Sequence, residues 1–367
     1  MAERYYIGLM SGTSLDGVDA AVIDEAAGGA VLSALTRPYP EALKSRLEQA
    51  CAVEAPAVGE LMALDREVAI VFADAARAAL DQAALGAGDI TAIGSHGHTV
   101  RHLATGDGVI TWQIGDPNHL AAATGIPVVA DFRRRDTAEG GQGAPLVPAF
   151  HAARFGHAGR HRAVLNLGGM ANITILPPSG SGHVSGFDTG PGNILLNEWA
   201  RRHLDQPLDP GGDWGATGRV QPELLTRALA DPFFSQPPPK STGRETFNAD
   251  WLDRLGPEAW PPADVQATLV ALTARTVADA VRLHAPRTEE LLVCGGGVHN
   301  RALLGALDGE LDGVAIATTA EYGLDPDWVE AAAFAWLARE RLAQRPGNEP
   351  GVTGARRRVI LGGVYGP

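Results

Sequence analysis

A chain of 367 residues, 45% hydrophobic and 20% charged, is long enough for about two domains with full cores and needs no disulfide staples. Its formal net charge of −13 argues against nucleic acid or an anionic membrane surface as a main partner, because both require a positive face. Two cysteines without a motif (Cys51 and Cys294), no signal-peptide pattern at Met1-Ala2-Glu3-Arg4 and no uncharged apolar run near the ~20 residues of a membrane helix point to the cytoplasm.

In chain order, the apolar run Tyr5 to Met10 reads as a strand, followed by the turn Ser11-Gly12-Thr13-Ser14-Leu15-Asp16-Gly17 and a second strand, Val18 to Ile23. A helix is expected from about Glu60 to Leu80, with Leu61, Leu64, Val68, Val71, Phe72 and Ala75 on one face. The strand Ile90 to Ile93 then opens into the loop Gly94-Ser95-His96-Gly97-His98-Thr99. Breakers gather between Asp131 and Pro148, where a lobe junction is placed. The same order of parts returns downstream. A hairpin joins Ala163–Leu167 to Asn172–Leu176 through Gly168-Gly169-Met170-Ala171. A helix starts near Asp264, and the strand Leu291–Cys294 opens into Gly295-Gly296-Gly297. Between them, Pro237 to Gly243 reads as a loop, and the last strong helix is Val329 to Leu342. The echo predicts two similarly folded α/β lobes, residues 1–135 and 136–367, with the C-terminal segment free to return to the first.

The residues that could do chemistry sit in the turns. Only two lysines exist, Lys44 and Lys240, and no Gly-Lys-Ser/Thr occurs, so a Walker-type phosphate loop is excluded. The first hairpin tip offers glycine backbone, hydroxyls and a carboxylate, which suit phosphate and hydrated Mg²⁺; an ordinary Gly/Ser turn has the same composition. In Gly186-Phe187-Asp188-Thr189-Gly190-Pro191-Gly192-Asn193, a strand is expected to end at Phe187, with Asp188 at the bend and Pro191 at a helix entrance. A carboxylate beside exposed N–H groups suits proton abstraction next to a phosphate, although Asp188 could equally cap the helix. The run Gly295 to Gly297 would let a flat ring lie against bare backbone, or serve packing alone. His96, His98 and His102 lack a completing Cys or carboxylate, which favours hydrogen bonding over zinc. Gly-x-Ser-x-Gly is absent, which removes the serine-hydrolase elbow. Glu330 in a first helical turn is ordinary macrodipole chemistry unless that helix points into a cleft. Of the two arginine runs, Arg133-Arg134-Arg135 could reach an anion, while Arg356-Arg357-Arg358 reads as solvated charge.

Taken together, Gly8 to Asp19, Ser95-His96-Gly97-His98-Thr99, Gln113 to Asn118, Val129 to Arg133, Gly140 to Pro148, Asn166 to Thr174, Phe187 to Asn193 and Cys294 to Gly297 resemble the anhydro-N-acetylmuramic acid kinases, in family order over nearly the whole chain. His98 stands where that pattern leads one to expect glutamine. The resemblance implies the actin, hexokinase and heat-shock chaperone superfamily fold, of the ribonuclease H-like type, with ATP in an interlobe cleft. It implies phosphorylation of 1,6-anhydro-N-acetylmuramic acid with opening of the anhydro ring, giving N-acetylmuramic acid 6-phosphate and ADP in peptidoglycan recycling. It also implies Asp188 as catalytic base, and Thr99, Glu330, His96 and Gly168 at the sugar. ATP would be held by Gly12, Thr13, Ser14, Leu15, Asp16, Gly17, Val18, Asp19, Gly190, Gly295, Gly296, Gly297 and Asn300, with Mg²⁺ at Asp16. A homodimer is the family expectation. The rival readings are a kinase of another sugar or polyol on the same fold, and an ATP-gated interaction protein. The second is disfavoured because the two lobes leave no region for a peptide-binding domain.

Overall fold

The computed structural model describes residues 4–12, 15–53, 55–106 and 108–367. Thr13 and Ser14, expected to hold phosphate, lie outside the described residues. The chain divides into two compact units, one of Met1–Phe150 with Trp328–Pro367 and one of His151–Asp327. Residues 136–150, which the division at residue 135 gave to the second lobe, cluster with the first, and so does everything from Trp328 onward, the return that the sequence reading left open.

The first unit is built on a sheet of β1 (Tyr5–Ser11), β2 (Val18–Asp24), β3 (Ala30–Arg37), β4 (Ile90–Thr105), β5 (Gly108–Ile114), β6 (Val128–Ala130) and, from the chain's end, β12 (Gly363–Tyr365). Its order is β12-β6-β4-β1-β2-β3, with β5 pairing the outer half of β4. β1 runs antiparallel to β2 and parallel to β4, so its unbroken apolar run is buried, as a central strand covered on both faces must be. The helix Val58–Ala83 buries Leu61, Leu64, Val68, Val71, Phe72 and Ala75, the stripe expected from sequence, against this sheet's core.

The second unit repeats the plan. β7 (Arg162–Leu167), β8 (Met170–Leu176), β9 (Ser185–Pro191), β10 (Glu290–Cys294) and β11 (Ala315–Thr318) are ordered β11-β10-β7-β8-β9. Strand for strand this matches β6-β4-β1-β2-β3, with the same two antiparallel and two parallel pairings. The helix Pro262–His284 occupies the chain position before β10 that Val58–Ala83 occupies before β4. The sequence echo is thus a topological repeat.

Two local expectations are corrected. The segment Gly94 to Thr99 is strand rather than loop, because β4 continues through it, pairing β1 as far as His98 and β5 from His98 on. Asp188 lies inside β9 and not at a bend, since β9 runs to Pro191 and the following helix starts at Asn193. Among the described residues, no helix is long and apolar enough to cross a membrane.

Candidate active site

In the first unit, the end of β1 and the start of β2 frame the hairpin tip. Leu15 N–H donates to the Gly12 carbonyl at 3.3 Å. Leu15 is buried, so its apolar side chain anchors the tip, while Asp16 is exposed. Asp19 accepts from Thr36 Oγ1 at 2.6 Å. Gly17 and Val18 are buried; a Cβ on Gly17 would meet the Arg37 carbonyl oxygen at 2.5 Å, so this position packs against β3.

β4 carries the three histidines, and each has its own partner. His96, buried, places Nδ1 2.8 Å from the Gly97 carbonyl, and its Nε2 accepts from Arg133 Nε at 2.9 Å. With Nε2 an acceptor, Nδ1 must be the protonated nitrogen. Burial, then the Arg133 charge, hold this imidazole neutral well below the usual histidine range. His98 contacts Ser11 Oγ and Cys51 Sγ, and His102 contacts Thr111 Oγ1. Among the described residues no three His, Cys, Asp or Glu converge on a metal position. Thr99 Oγ1 accepts from Gln113 Nε2 at 3.2 Å.

Arg133 also donates to the Gly143 carbonyl at 2.9 Å, which ties the breaker-rich loop to the site. Burial lowers its pKa to about 10, against the attraction of Glu330 and Asp136, so it stays cationic at neutral pH. Glu330 opens the helix Val329–Leu342. Its carboxyl is pushed up first by burial and then by the Asp19 charge, with Arg133 opposing. Four groups from distant sequence, Asp19, His96, Arg133 and Glu330, thus share one neighbourhood. A cavity of about 130 Å³ adjoins it, lined by Ser95, His96, Gln113, Asp65, Asp131 and Arg134 among others.

In the second unit, β9 is an edge strand, and its pairing with β8 slips at Thr189, between Ala171↔Gly190 and Asn172↔Asp188. Such a bulge re-aims the side chains beside it, here Asp188. Asp188 N–H donates to the Lys240 carbonyl at 3.1 Å, and Asp188 Oδ2 accepts from Thr242 N–H at 2.9 Å. Burial is the largest influence on this carboxyl and raises its pKa to about 6; the Thr242 bond and the Lys240 charge oppose it, and Glu245 adds to it. A carboxylate of that proton affinity, half-buried and held by one oxygen, is suited to general-base work.

The free helix N-terminus expected beside Asp188 is not free. The N–H groups of Gly192, Asn193 and Ile194 donate to the Gly168 and Gly169 carbonyls at 2.9–3.1 Å, and Asn193 Nδ2 donates to the Leu167 carbonyl. Gly168, expected at the sugar, is thereby a hydrogen-bond acceptor for that helix. Gly190 is covered by the Phe234 ring, 2.7 Å from where a Cβ would lie. Gly295 follows β10 with φ 81° and would clash with Asn166 Oδ1 if it carried a side chain, whereas nothing lies within 4 Å of a Cβ on Gly296. That leaves open space over one glycine only, with Gly297 buried against Leu167. Asn300 spends its side-chain oxygen on Leu303 N–H as the cap of helix Arg301–Glu310.

Sequence reasoning did not place Tyr39, Cys51 and Gln113 beside the β4 residues, nor Lys240, Thr242 and Glu245 beside Asp188. The available signal was compositional: one of only two lysines falls in the Pro237–Gly243 loop.

The model of the family described as "Anhydro-N-acetylmuramic acid kinase" matches residues 4–367. The anhydro-N-acetylmuramic acid kinase of Xanthomonas campestris pv. campestris (strain 8004) is 50% identical over 98% of this chain and 97% of that one. That of Coxiella burnetii (strain Dugway 5J108-111) is 45% identical over 100% and 98%. Among solved structures, component A of the (R)-2-hydroxyglutaryl-CoA dehydratase of Acidaminococcus fermentans covers 93% of this chain and 99% of its own at 14% identity, with a TM-score of 0.51. At that identity the likeness concerns fold alone: α/β, in two lobes of the actin-like ATPase type.

Proposed function

The chain belongs to the anhydro-N-acetylmuramic acid kinase family and is a sugar kinase, and from that premise we propose that it opens 1,6-anhydro-N-acetylmuramic acid with water while phosphorylating oxygen 6 from ATP. The observation that carries the reading is Asp188, a half-buried carboxyl raised to about 6 and held through a single oxygen. Asp188 takes a proton from water, whose oxygen bonds to the anomeric carbon as the bond from that carbon to oxygen 6 breaks. Oxygen 6 forms its new bond to the γ-phosphorus of ATP, and ADP leaves. Phosphoryl transfer thereby replaces the general acid that a glycosidase would need. The products are N-acetylmuramic acid 6-phosphate and ADP.

In this reading the Gly12–Asp19 tip and Gly295 to Gly297 hold the nucleotide, and the open space over Gly296 is what supports the second. His96, Thr99, Arg133 and Glu330 take the sugar. Arg133 and Glu330 offer it a cation and a carboxyl whose proton affinity burial raises, in one desolvated place. Mg²⁺ suits this arrangement because it binds mainly water and phosphate oxygens with one or two carboxylates, and Asp16, exposed, would be the carboxylate. When bound it would neutralise phosphate charge. The enzyme is placed in the cytoplasm, where ATP is supplied, as a homodimer whose mass light scattering would check.

Turnover in heavy-oxygen water tests the chemistry. Mass spectrometry should find the heavy atom at carbon 1 of the sugar and none in the phosphate; heavy oxygen in the phosphate, or equal turnover of glucose, would overturn it. Asp188→Asn should lose roughly 10²–10⁴-fold in kcat with folding retained.

A further inference from the structure

The segment that the sequence marks only as a loop, Pro237 to Gly243, lies along the outer edge of β9. Lys240 gives its carbonyl to Asp188 N–H, and Thr242 gives its N–H to Asp188 Oδ2. The strap thus satisfies an edge strand that would otherwise expose unpaired groups, and it does so at the one residue assigned to proton transfer. What holds the strap is the Lys240 ammonium. Nζ donates to the carbonyls of Phe233 and Phe234 at 3.1 and 3.3 Å and sits 4.5 Å from the Phe233 ring centre. Those residues form the short helix Pro232–Ser235, and Phe234 in turn covers Gly190 on β9. The lysine therefore closes a loop of contacts that begins and ends on the strand carrying Asp188.

We propose that Lys240 is a positioning residue for Asp188: its ammonium staples the 236–245 strap over β9 and supplies the positive charge that keeps the neighbouring carboxylate ionised for catalysis. The inference rests on Asp188 being the base. The charged and titratable groups around Asp188 are few. On the strap, Lys240 favours its ionised form and Glu245 disfavours it. On β8 the paired residue is Asn172, which is uncharged. From the helix Pro262–His284 comes His284, edge-on to Phe187 at 5.1 Å and held low by burial and by Lys240 itself. Among the described residues Lys240 is the cation that acts on this carboxyl, Arg244 of the same strap not being one of its influences, and a methionine in place of Lys240 would fill similar volume without charge.

The experiment is the pH dependence of kcat/KM for the full-length enzyme with ATP and the anhydro-sugar, for wild type, Lys240→Met, Lys240→Arg and His284→Gln. Activity rises with pH as the base loses its proton, so removal of the cation moves the acid limb upward. Lys240→Met should shift it by about 0.5–1 pH unit, whereas Lys240→Arg and His284→Gln should leave it within about 0.2. A uniform fall across pH in Lys240→Met, an unmoved limb, or equal shifts in the Met and Arg variants would overturn the proposal. If Lys240→Met does not fold, Lys240→Gln, which can still donate to both carbonyls, replaces it. If that too fails to fold, the lysine is a structural anchor only and the proposal falls. Asp188→Asn separates the two levels: retained turnover removes the base itself, while a dead Asp188→Asn with an unmoved Lys240→Met limb removes only the role of Lys240.

Discussion

Around His98 the donors and acceptors fall into a single direction. Tyr39 Oη donates to Ser11 Oγ at 2.9 Å, and Ser11 Oγ lies 3.1 Å from His98 Nδ1. His98 Nε2 lies 3.7 Å from Cys51 Sγ, which donates to the Thr99 carbonyl at 3.8 Å. Because Cys51 gives its proton to the Thr99 carbonyl, its sulfur accepts from His98 Nε2–H, which leaves Nδ1 to accept the Ser11 proton. Burial keeps the imidazole neutral down to a pKa of about 4. Glutamine, the residue expected here from the family pattern, also offers one acceptor and one donor, so it can complete the same chain. His98→Gln should therefore change stability by less than about 1 kcal/mol. His98→Leu strands Ser11 and should cost about 1–3 kcal/mol in urea melts. It should also raise KM for ATP more than it lowers kcat, because Ser11 abuts the hairpin tip. His96 and His151 are buried and neutral like His98, His151 with a pKa near 3. The unfolded chain protonates all three near pH 6.5. Stability from this source is complete above that pH and is lost progressively as pH falls through it toward 4, which thermal melts across pH 7 to 4 would show.

At the level of elements, the first unit depends on a bare strip across two neighbouring strands. Gly8 of β1 and Gly94 of β4 are register partners. A Cβ on either would lie 1.7 Å from the Ala331 carbonyl oxygen or 1.9 Å from that of Phe334. The helix Val329–Leu342, rich in alanine on this side, lies directly on that strip and so carries Glu330 to Arg133 and Asp19. Gly94→Ala must push the helix away. A loss of about 3 kcal/mol is expected, at the upper end for overpacking, and a melting temperature lower by roughly 5–10 °C. Turnover should fall further than stability alone accounts for, as Glu330 moves with its helix.

For the whole molecule, the returning C-terminal segment closes the first unit. Asp136, fully buried, accepts from Gly143 N–H, Asn348 Nδ2 and Thr353 Oγ1 at 2.7–2.8 Å. Glu139 meets Arg135, Arg357 and Arg356. The second arginine run is thus exposed but paired, with Arg358 on Glu349. The exposed ion pairs add little individually, whereas Asp136 leaves three buried donors unmet if removed. Asp136→Ala should destabilise the protein by about 3–5 kcal/mol, readable by urea titration.

The order of parts, the two hairpins and the apolar stripe of Val58–Ala83 were all legible in the chain, because period, turn chemistry and short motifs are local properties; Asp188 was singled out from its motif, and its role is the proposal made above. The strand character of Gly94 to Thr99 was not, since glycine reads locally as loop and only the helix from residue 329 explains it. Nor was the partner of Asp188 legible: Lys240 lies 52 positions away, and no period or motif links a strap to the strand edge it covers. Residue identities fixed which chemistry was available. Tertiary packing alone decided which groups were desolvated together, and desolvation sets their proton affinities.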